Sequence, residues 1–343
     1  MSATILDFFL AGNRFWATFI LSAGLIVAAA MQLARSGDVL AARTGIGGMF
    51  IGVLLLAGAT SLPEMLTGIN AVLIGSPDIA AGNFFGSSAF NMLILAILDI
   101  LSRDRRILRE AAYRHVLSGG LGIFICTIVL FFIGANPIIE TFGFKVGWIG
   151  LDSLIIVAVY VYSIRLIDQE GKEQVSAEMS AEELASVPSL RSGILSFVGA
   201  SLVLVIVSPL MVNAADKIAV VTQLGESFVG STLVAMITSL PELVTSIAAL
   251  SIGAPEMAMG NLFGSNMFNM LAISITDLFY VPGRLLGAVS PAFIVTGMLG
   301  VMMMALAVIG NVAKLRRFKF MELDSILMVM LYLGGMYILY QIR

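Results

Sequence analysis

Residues 60–64 read Thr-Ser-Leu-Pro-Glu, and residues 238–242 read Thr-Ser-Leu-Pro-Glu again. The same offset of 178 residues lays Gly82-Asn-Phe-Phe-Gly-Ser87 on Gly260-Asn-Leu-Phe-Gly-Ser265, and Phe90-Asn-Met-Leu93 on Phe268-Asn-Met-Leu271. Over positions 60–99, 23 of 40 residues are identical to their counterparts at 238–277, without a gap. Weaker matches continue upstream: Asp38 with Asp216, Thr44 with Thr222, Phe50 with Phe228, and Ala57 with Ala235. Apolar bias cannot produce this pattern, because the matched residues are mostly Gly, Pro, Asn, Ser, Thr and Glu. The chain is an internal duplication.

Composition says where the duplicate folds. Of 343 residues, 59% are hydrophobic and 12% charged, with a mean hydropathy of +1.01. Soluble domains carry roughly 25% charged residues. A water-soluble enzyme, a nucleic-acid binder and a disordered chain are excluded, and a net charge of -3 gives no phosphate-seeking surface. A bilayer-crossing helix needs about 20 mostly apolar residues. Apolar runs predict helices near 15–34, 44–73, 79–101, 113–133, 148–166, 193–212, 226–251, 256–279, 286–309 and 324–341. The expected fold is an all-α integral membrane protein with ten transmembrane helices. Residues 1–167 form the first five-helix repeat, 168–191 an acidic cytoplasmic linker with one short helix capped by Ser180, and 192–343 the second repeat. Five spans per repeat reverse the direction of entry, so the repeats are inverted, with the substrate site near the midplane where they meet.

Basic residues set the orientation. With both termini outside, 14 of the 19 Lys and Arg fall on the cytoplasmic side, among them the cluster from Arg103 to Arg114. That cluster reads as a topology anchor rather than an RNA or lipid site. Asp38 and Asp216 are placed as caps of helix starts, and Asp99 and Asp277 as anchors at span ends. Cys126, the single cysteine, lies in an apolar run and can form no internal disulfide. The N-terminus has no basic lead-in and does not read as a signal peptide.

The repeated motif carries the chemistry. Pro63 has no N–H and its ring clashes with the carbonyl four residues back. The carbonyls near Ala57–Ala59 are therefore expected to lose helical partners. Ser61-x-x-Glu64 matches a capping box, and Pro suits a first helical turn. The second span, and by repetition the seventh around Pro241, is predicted to be broken mid-membrane. A carboxylate at that depth costs about 2.5–3.5 kcal/mol, so Glu64 and Glu242 must meet a cation or a proton. A structural ion pair would need Lys or Arg, and neither segment has one. Thr60 lies four residues from Glu64, and Ser87 four from Asn91; Thr238, Glu242, Ser265 and Asn269 repeat the pattern on shared helix faces. Asn83 and Asn261 either join the site or brace it, and Thr67 and Thr245 also repeat. All the donors are oxygens, without His or Cys, which argues against zinc, copper or iron. Such a set suits Ca²⁺, which accepts 6–8 oxygens, better than Mg²⁺, which keeps its waters. Na⁺, close to Ca²⁺ in size, suits overlapping sites. Gly82-x-x-x-Gly86 and Gly260-x-x-x-Gly264 would let helices approach closely.

Thr-Ser-Leu-Pro-Glu followed by Gly-Asn-x-x-Gly-Ser-x-x-x-Asn, twice, resembles the paired α-repeats of the cation/Ca²⁺ exchanger superfamily, specifically the sodium/calcium exchangers. The resemblance implies an eight-helix core across which the long first and sixth helices slide to alternate access. It implies side-chain ligands at Thr60, Ser61, Glu64, Ser87, Asn91, Thr238, Ser239, Glu242, Ser265 and Asn269, and carbonyl ligands at Ala57 and Ala235. Many prokaryotic relatives and the potassium-dependent branch look to have Asp where this chain has Asn269. Two Asn residues are similar to potassium-independent exchangers, and fit electrogenic Na⁺/Ca²⁺ antiport in a cell inner or plasma membrane. H⁺/Ca²⁺ antiport is the alternative; a passive channel and an intramembrane protease fit less well. No cofactor is implied, the transported ions are Ca²⁺ and Na⁺, and one chain suffices for transport.

Overall fold

The computed structural model describes residues 9–44, 57–101, 115–143, 145–172, 187–251, 254–313, 317–318 and 321–342. The first part of the second apolar run, the Arg103–Arg114 cluster and Ser180-x-x-Glu183 lie outside the described residues.

Long helices dominate: α1 (Arg14–Thr44), α2 (Leu62–Leu73), α3 (Pro77–Leu101), α4 (Val116–Gly134), α5 (Leu151–Lys172), α6 (Leu190–Thr222), α7 (Leu240–Ser251), α8 (Pro255–Asp277), α9 (Phe293–Ala313) and α10 (Leu323–Gln341). Among the described residues, seven helical stretches are long and apolar enough to cross a bilayer. Helix α8 is not among them, because Glu256, Asn261, Asn266, Asn269 and Asp277 dilute its apolar character.

Helices α3 and α8 form the centre. Each begins on Pro with an acidic residue in its first turn, which complements the helix dipole. Each is buried all round along its middle, from Ile79 to Met92 in α3 and from Ala258 to Met267 in α8. A helix with no solvent face belongs in a core. Helices α2, α9 and α10 pack on α3, and α4, α5 and α7 on α8. Outside this core, α1 and α6 pack against each other. At 31 and 33 residues they are about 46 and 50 Å long at 1.5 Å per residue. Both exceed a hydrocarbon core of about 30 Å and must tilt or protrude. Asp38 and Asp216 lie inside these helices rather than at their starts.

Glycines bring α3 onto the backbone of the second half. The chain upstream of α7 runs through Glu226–Val229, a π-helical turn at Gly230–Val234, and Ala235–Thr238. A methyl group at Gly82 would sit 2.9 Å from Gly230 Cα, and one at Gly86 would sit 2.8 Å from Ala235 Cβ. One at Gly264 on α8 would sit 2.9 Å from Ala57 Cβ. Gly82, Gly86 and Gly264 of the paired small-residue motifs make the close contacts expected of them.

Two short hairpins, Lys145–Val146 with Ile149–Gly150 and Arg317–Phe318 with Met321–Glu322, each lead into a Leu-Asp-Ser helix start, Leu151-Asp152-Ser153 and Leu323-Asp324-Ser325. Each start meets the far end of a central helix from the other half. Ser325 Oγ donates to Asp99. Asp277, at the end of α8, accepts the backbone N–H of Gly150 at 2.8 Å and of Leu285 at 2.6 Å. Buried Arg284 lies 3.4 Å from Asp152 and donates to Asn136. Asp277 is an anchor, as its place at a span end suggests, and it is fully buried.

Candidate cation-binding site

The repeated Thr-Ser-Leu-Pro-Glu segments break their helices at the same residue and in the same way. Residues 57–60 are helical, Ser61 turns with φ -90° and ψ 4°, and α2 follows. Residues Ala235–Thr238 are helical, Ser239 turns with φ -89° and ψ 4°, and α7 follows.

Two local expectations need correction. The turn does not free the carbonyls of Ala57 and Ala235, which accept the N–H groups of Ser61 and Ser239, each at 3.0 Å. Proline denies a donor only to the carbonyl four residues before it, which here belongs to Ala59 and Ile237. Hydroxyls also donate to these carbonyls, Thr60 Oγ1 to Ala57 at 3.1 Å and Thr238 Oγ1 to Ala235 at 3.2 Å, so a cation contact there would compete with hydrogen bonds already made. Nor does Ser61 close a capping box: its side chain makes no cap bond. Ser61 Oγ instead donates to Glu242 Oε1 at 3.1 Å, and Ser239 Oγ to Glu64 Oε1 at 3.2 Å.

That exchange of partners recurs through the centre. Thr60 donates to Asn261 Oδ1 at 3.2 Å, and Thr238 to Asn83 Oδ1 at 3.0 Å. Asn91 Nδ2 donates to Asn266 Oδ1 at 3.0 Å, and Asn269 Nδ2 to Ser88 Oγ at 3.4 Å. Each bond joins the two halves, and each has a counterpart at the repeat offset. Such reciprocity is the mark of a two-fold relation.

The structure brings every expected side chain into one buried region. Glu64 and Glu242 are 1% and 0% exposed, and Thr60, Ser61, Ser87, Asn91, Thr238, Ser239, Ser265 and Asn269 are buried with them. Ser265 Oγ donates to Glu242 Oε1 at 3.4 Å, whereas Ser87 Oγ donates to the Ala235 carbonyl at 3.4 Å. Asn83 and Asn261 brace the region: Asn83 Nδ2 donates to the Glu64 backbone carbonyl at 2.8 Å, and Asn261 Nδ2 to Thr245 Oγ1 at 3.0 Å. Thr245 is thereby drawn into the brace. Thr67 Oγ1 is buried without a hydrogen-bond partner among the described residues.

Four atoms decide the chemistry. Glu64 Oε2, Glu242 Oε2, Asn91 Oδ1 and Asn269 Oδ1 are buried and accept no hydrogen bond among the described residues. Leaving a buried acceptor unsatisfied costs about 1–3 kcal/mol, and more when it is charged. All four are oxygens, two from each half, with two formal negative charges and no Lys or Arg in residues 57–73 or 235–251. Oxygens of this kind are what a hard cation takes as ligands. Ser88 and Asn266 occupy equivalent positions of the two repeats but differ in identity, so the repeat pattern alone does not mark them.

A family profile described as sodium/calcium exchanger protein matches residues 14–167 and 192–341. The chain belongs to this family. It is a membrane cation/Ca²⁺ antiporter and not an enzyme. It is 27% identical over 274 residues to the inner membrane protein YrbG of Escherichia coli, covering 78% of this chain and 81% of that one. It is 25% identical over 324 residues to the putative antiporter CaxA of Alkalimonas amylolytica, covering 92% and 95%. The sodium/calcium exchanger MaX1 of Methanosarcina acetivorans is 24% identical over 283 residues, covering 72% of this chain and 77% of MaX1. Two solved structures share the fold. The sodium-calcium exchanger NCX_Mj superposes with a TM-score of 0.58 at 24% identity, over 94% of this chain and 98% of that one. The H⁺/Ca²⁺ exchanger CAX superposes with a TM-score of 0.66 at 14% identity, over 99% and 88%.

Proposed function

We propose that the chain exchanges Na⁺ for Ca²⁺ by alternating access, without K⁺, using the four unpartnered oxygens of Glu64, Glu242, Asn91 and Asn269 as the heart of the cation cage. Those oxygens carry the reading. Thr60, Ser61, Ser87, Thr238, Ser239 and Ser265 complete the cage with hydroxyls, and Ala57 and Ala235 with carbonyls. Two carboxylates neutralise one Ca²⁺, whereas three Na⁺ in the same cage leave it one charge positive, so exchange at that ratio moves net charge. On this reading residues 1–167 and 192–343 are inverted five-helix repeats. The axis between them lies in the membrane plane, both termini are outside, and the 168–191 linker is cytoplasmic. One chain supplies both halves of the cage, so a monomer transports.

The test is ⁴⁵Ca²⁺ uptake into proteoliposomes loaded with Na⁺. Uptake driven by the Na⁺ gradient, unchanged by K⁺ and accelerated by an inside-positive compensating potential shift, is expected if Na⁺ leaves in excess charge. A second reading, H⁺/Ca²⁺ antiport, has the fold likeness to CAX in its favour. Uptake indifferent to Na⁺ and driven by a pH gradient would replace the first reading with the second. Ca²⁺ flux with no counter-ion would make the protein a channel.

A further inference from the structure

The two asparagines of the cage present oxygen to a cation only if their amides face the right way. An asparagine side chain is an acceptor on one side and a donor of two protons on the other. Turned over, Asn91 or Asn269 would direct N–H groups at the cation and repel it. The direction is set by what holds the nitrogen.

Asn91 Nδ2 is held by Asn266 Oδ1 at 3.0 Å, and Asn269 Nδ2 by Ser88 Oγ at 3.4 Å. Both holders sit on the facing central helix of the opposite half, each three residues before the asparagine of its own helix, and both are buried. Ser88 is fixed in its role, because its hydroxyl proton is spent on the Phe84 carbonyl at 3.0 Å. Towards Asn269 it can therefore only accept. With the nitrogens engaged, Asn91 Oδ1 and Asn269 Oδ1 have no partner among the described residues, and neither has Asn266 Nδ2.

We infer that Asn266 and Ser88 are positioning residues for cation transport, each fixing the amide of the opposite half's asparagine so that its oxygen faces the ion. This rests on the cation cage proposed above. Neither residue is a ligand in that cage. The repeats solve the same problem with different groups, an amide at 266 and a hydroxyl at 88.

The experiment measures the apparent Ca²⁺ affinity and the maximal rate of ⁴⁵Ca²⁺ uptake in proteoliposomes, with thermal stability of the purified protein alongside. Asn266→Leu removes the acceptor at similar size, and Asn266→Ala serves if the leucine variant does not fold. Either should weaken apparent Ca²⁺ affinity about tenfold, the worth of a hydrogen bond to a buried group, with the melting temperature little changed. Asn266→Ser, which restores an acceptor of the kind used at 88, should recover most of the affinity. Ser88→Ala should cost about threefold, since the bond it removes is longer. The decisive reading is the double-mutant cycle: Asn266→Leu added to Asn91→Ala should produce no further loss, because the amide it directs is gone. Additive losses in that cycle, or unchanged affinity in Asn266→Leu and Asn266→Ala, would overturn the inference while leaving the cage intact. An Asn91→Ala variant of normal affinity would overturn both.

Discussion

Two pairs of fully buried carboxylates among the described residues are kept in opposite ways. Asp152 and Asp277, at the ends of α5 and α8, carry their own compensation: Arg284 lies 3.4 Å from Asp152, and Asp277 accepts two backbone N–H groups. Among the described residues, Glu64 and Glu242 receive only hydroxyl donors on one oxygen each, and the other oxygen of each is unpartnered. Both sets are duplicated or nearly so, both are buried, and neither can be told from the other by burial. What separates them is where the counter-charge resides. A carboxylate whose cation is built into the chain is a rivet. One whose cation must arrive from solution is a transport site. This is why the cage lacks Lys and Arg while an arginine is tolerated at the span end.

The contrast can be broken most sharply at the glutamates. Glu64→Gln or Glu242→Gln should lower Ca²⁺ transport by about a hundredfold or more, the scale of losing one partner of a buried charge set. The folded protein should remain, because neutral glutamine needs no counter-ion. Full transport by either variant would end the distinction. Arg284→Met should do the reverse. Stranding Asp152 should cost about 3–5 kcal/mol of stability, read as a lower melting temperature, with apparent Ca²⁺ affinity of the folded protein unchanged. Adding Asp152→Asn should recover part of the loss, and failure to recover would show that Arg284 acts elsewhere. A smaller effect is expected from Ser61→Ala and Ser239→Ala. Each removes a hydrogen bond to a charged acceptor worth about 1.5–3 kcal/mol, and each should weaken Ca²⁺ through the glutamate of the opposite half. The double variant with the same-half glutamate would therefore be additive, and with the opposite one it would not. The mildest change is in pH. With equal pH on both sides, protons compete for the two glutamates, so transport should fall on acidification and recover with excess Ca²⁺. A steady rise with acidity would point to proton coupling.

Much of this was legible in the residues, for a physical reason. Asn and Glu are costly inside a membrane, so their repetition at one offset marks places where the cost is met, and the structure buries Glu64, Glu242, Asn91 and Asn269 together with the repeated hydroxyls. The local reading of Ser61 failed where a distant one was needed. Ser-x-x-Glu is a capping pattern in a lone helix, but here the hydroxyl finds a stronger acceptor, a carboxylate of the other half. Of the carbonyls near Ala57–Ala59, proline disarms that of Ala59, the residue four before it, while the turn at the serine keeps the bond to Ala57, as it does to Ala235 in the second half. Ser88 and Asn266 were invisible to a search for identities because the two halves differ there. The Leu-Asp-Ser helix starts at 151 and 323 were hidden by a different spacing, 172 residues instead of 178. Looking for repeats of chemistry at a shifted offset would have found them.

The reciprocal bonds at the centre have a consequence for how such a molecule is assembled. Each glutamate, each cage asparagine and each motif threonine takes a partner from the other half. Neither half alone can complete its own polar interior. The covalent join between α5 and α6 contributes an effective concentration rather than a contact. Two separately synthesised fragments, divided in that join, should therefore seek each other in the bilayer and reconstitute one working molecule, while either alone remains unfinished.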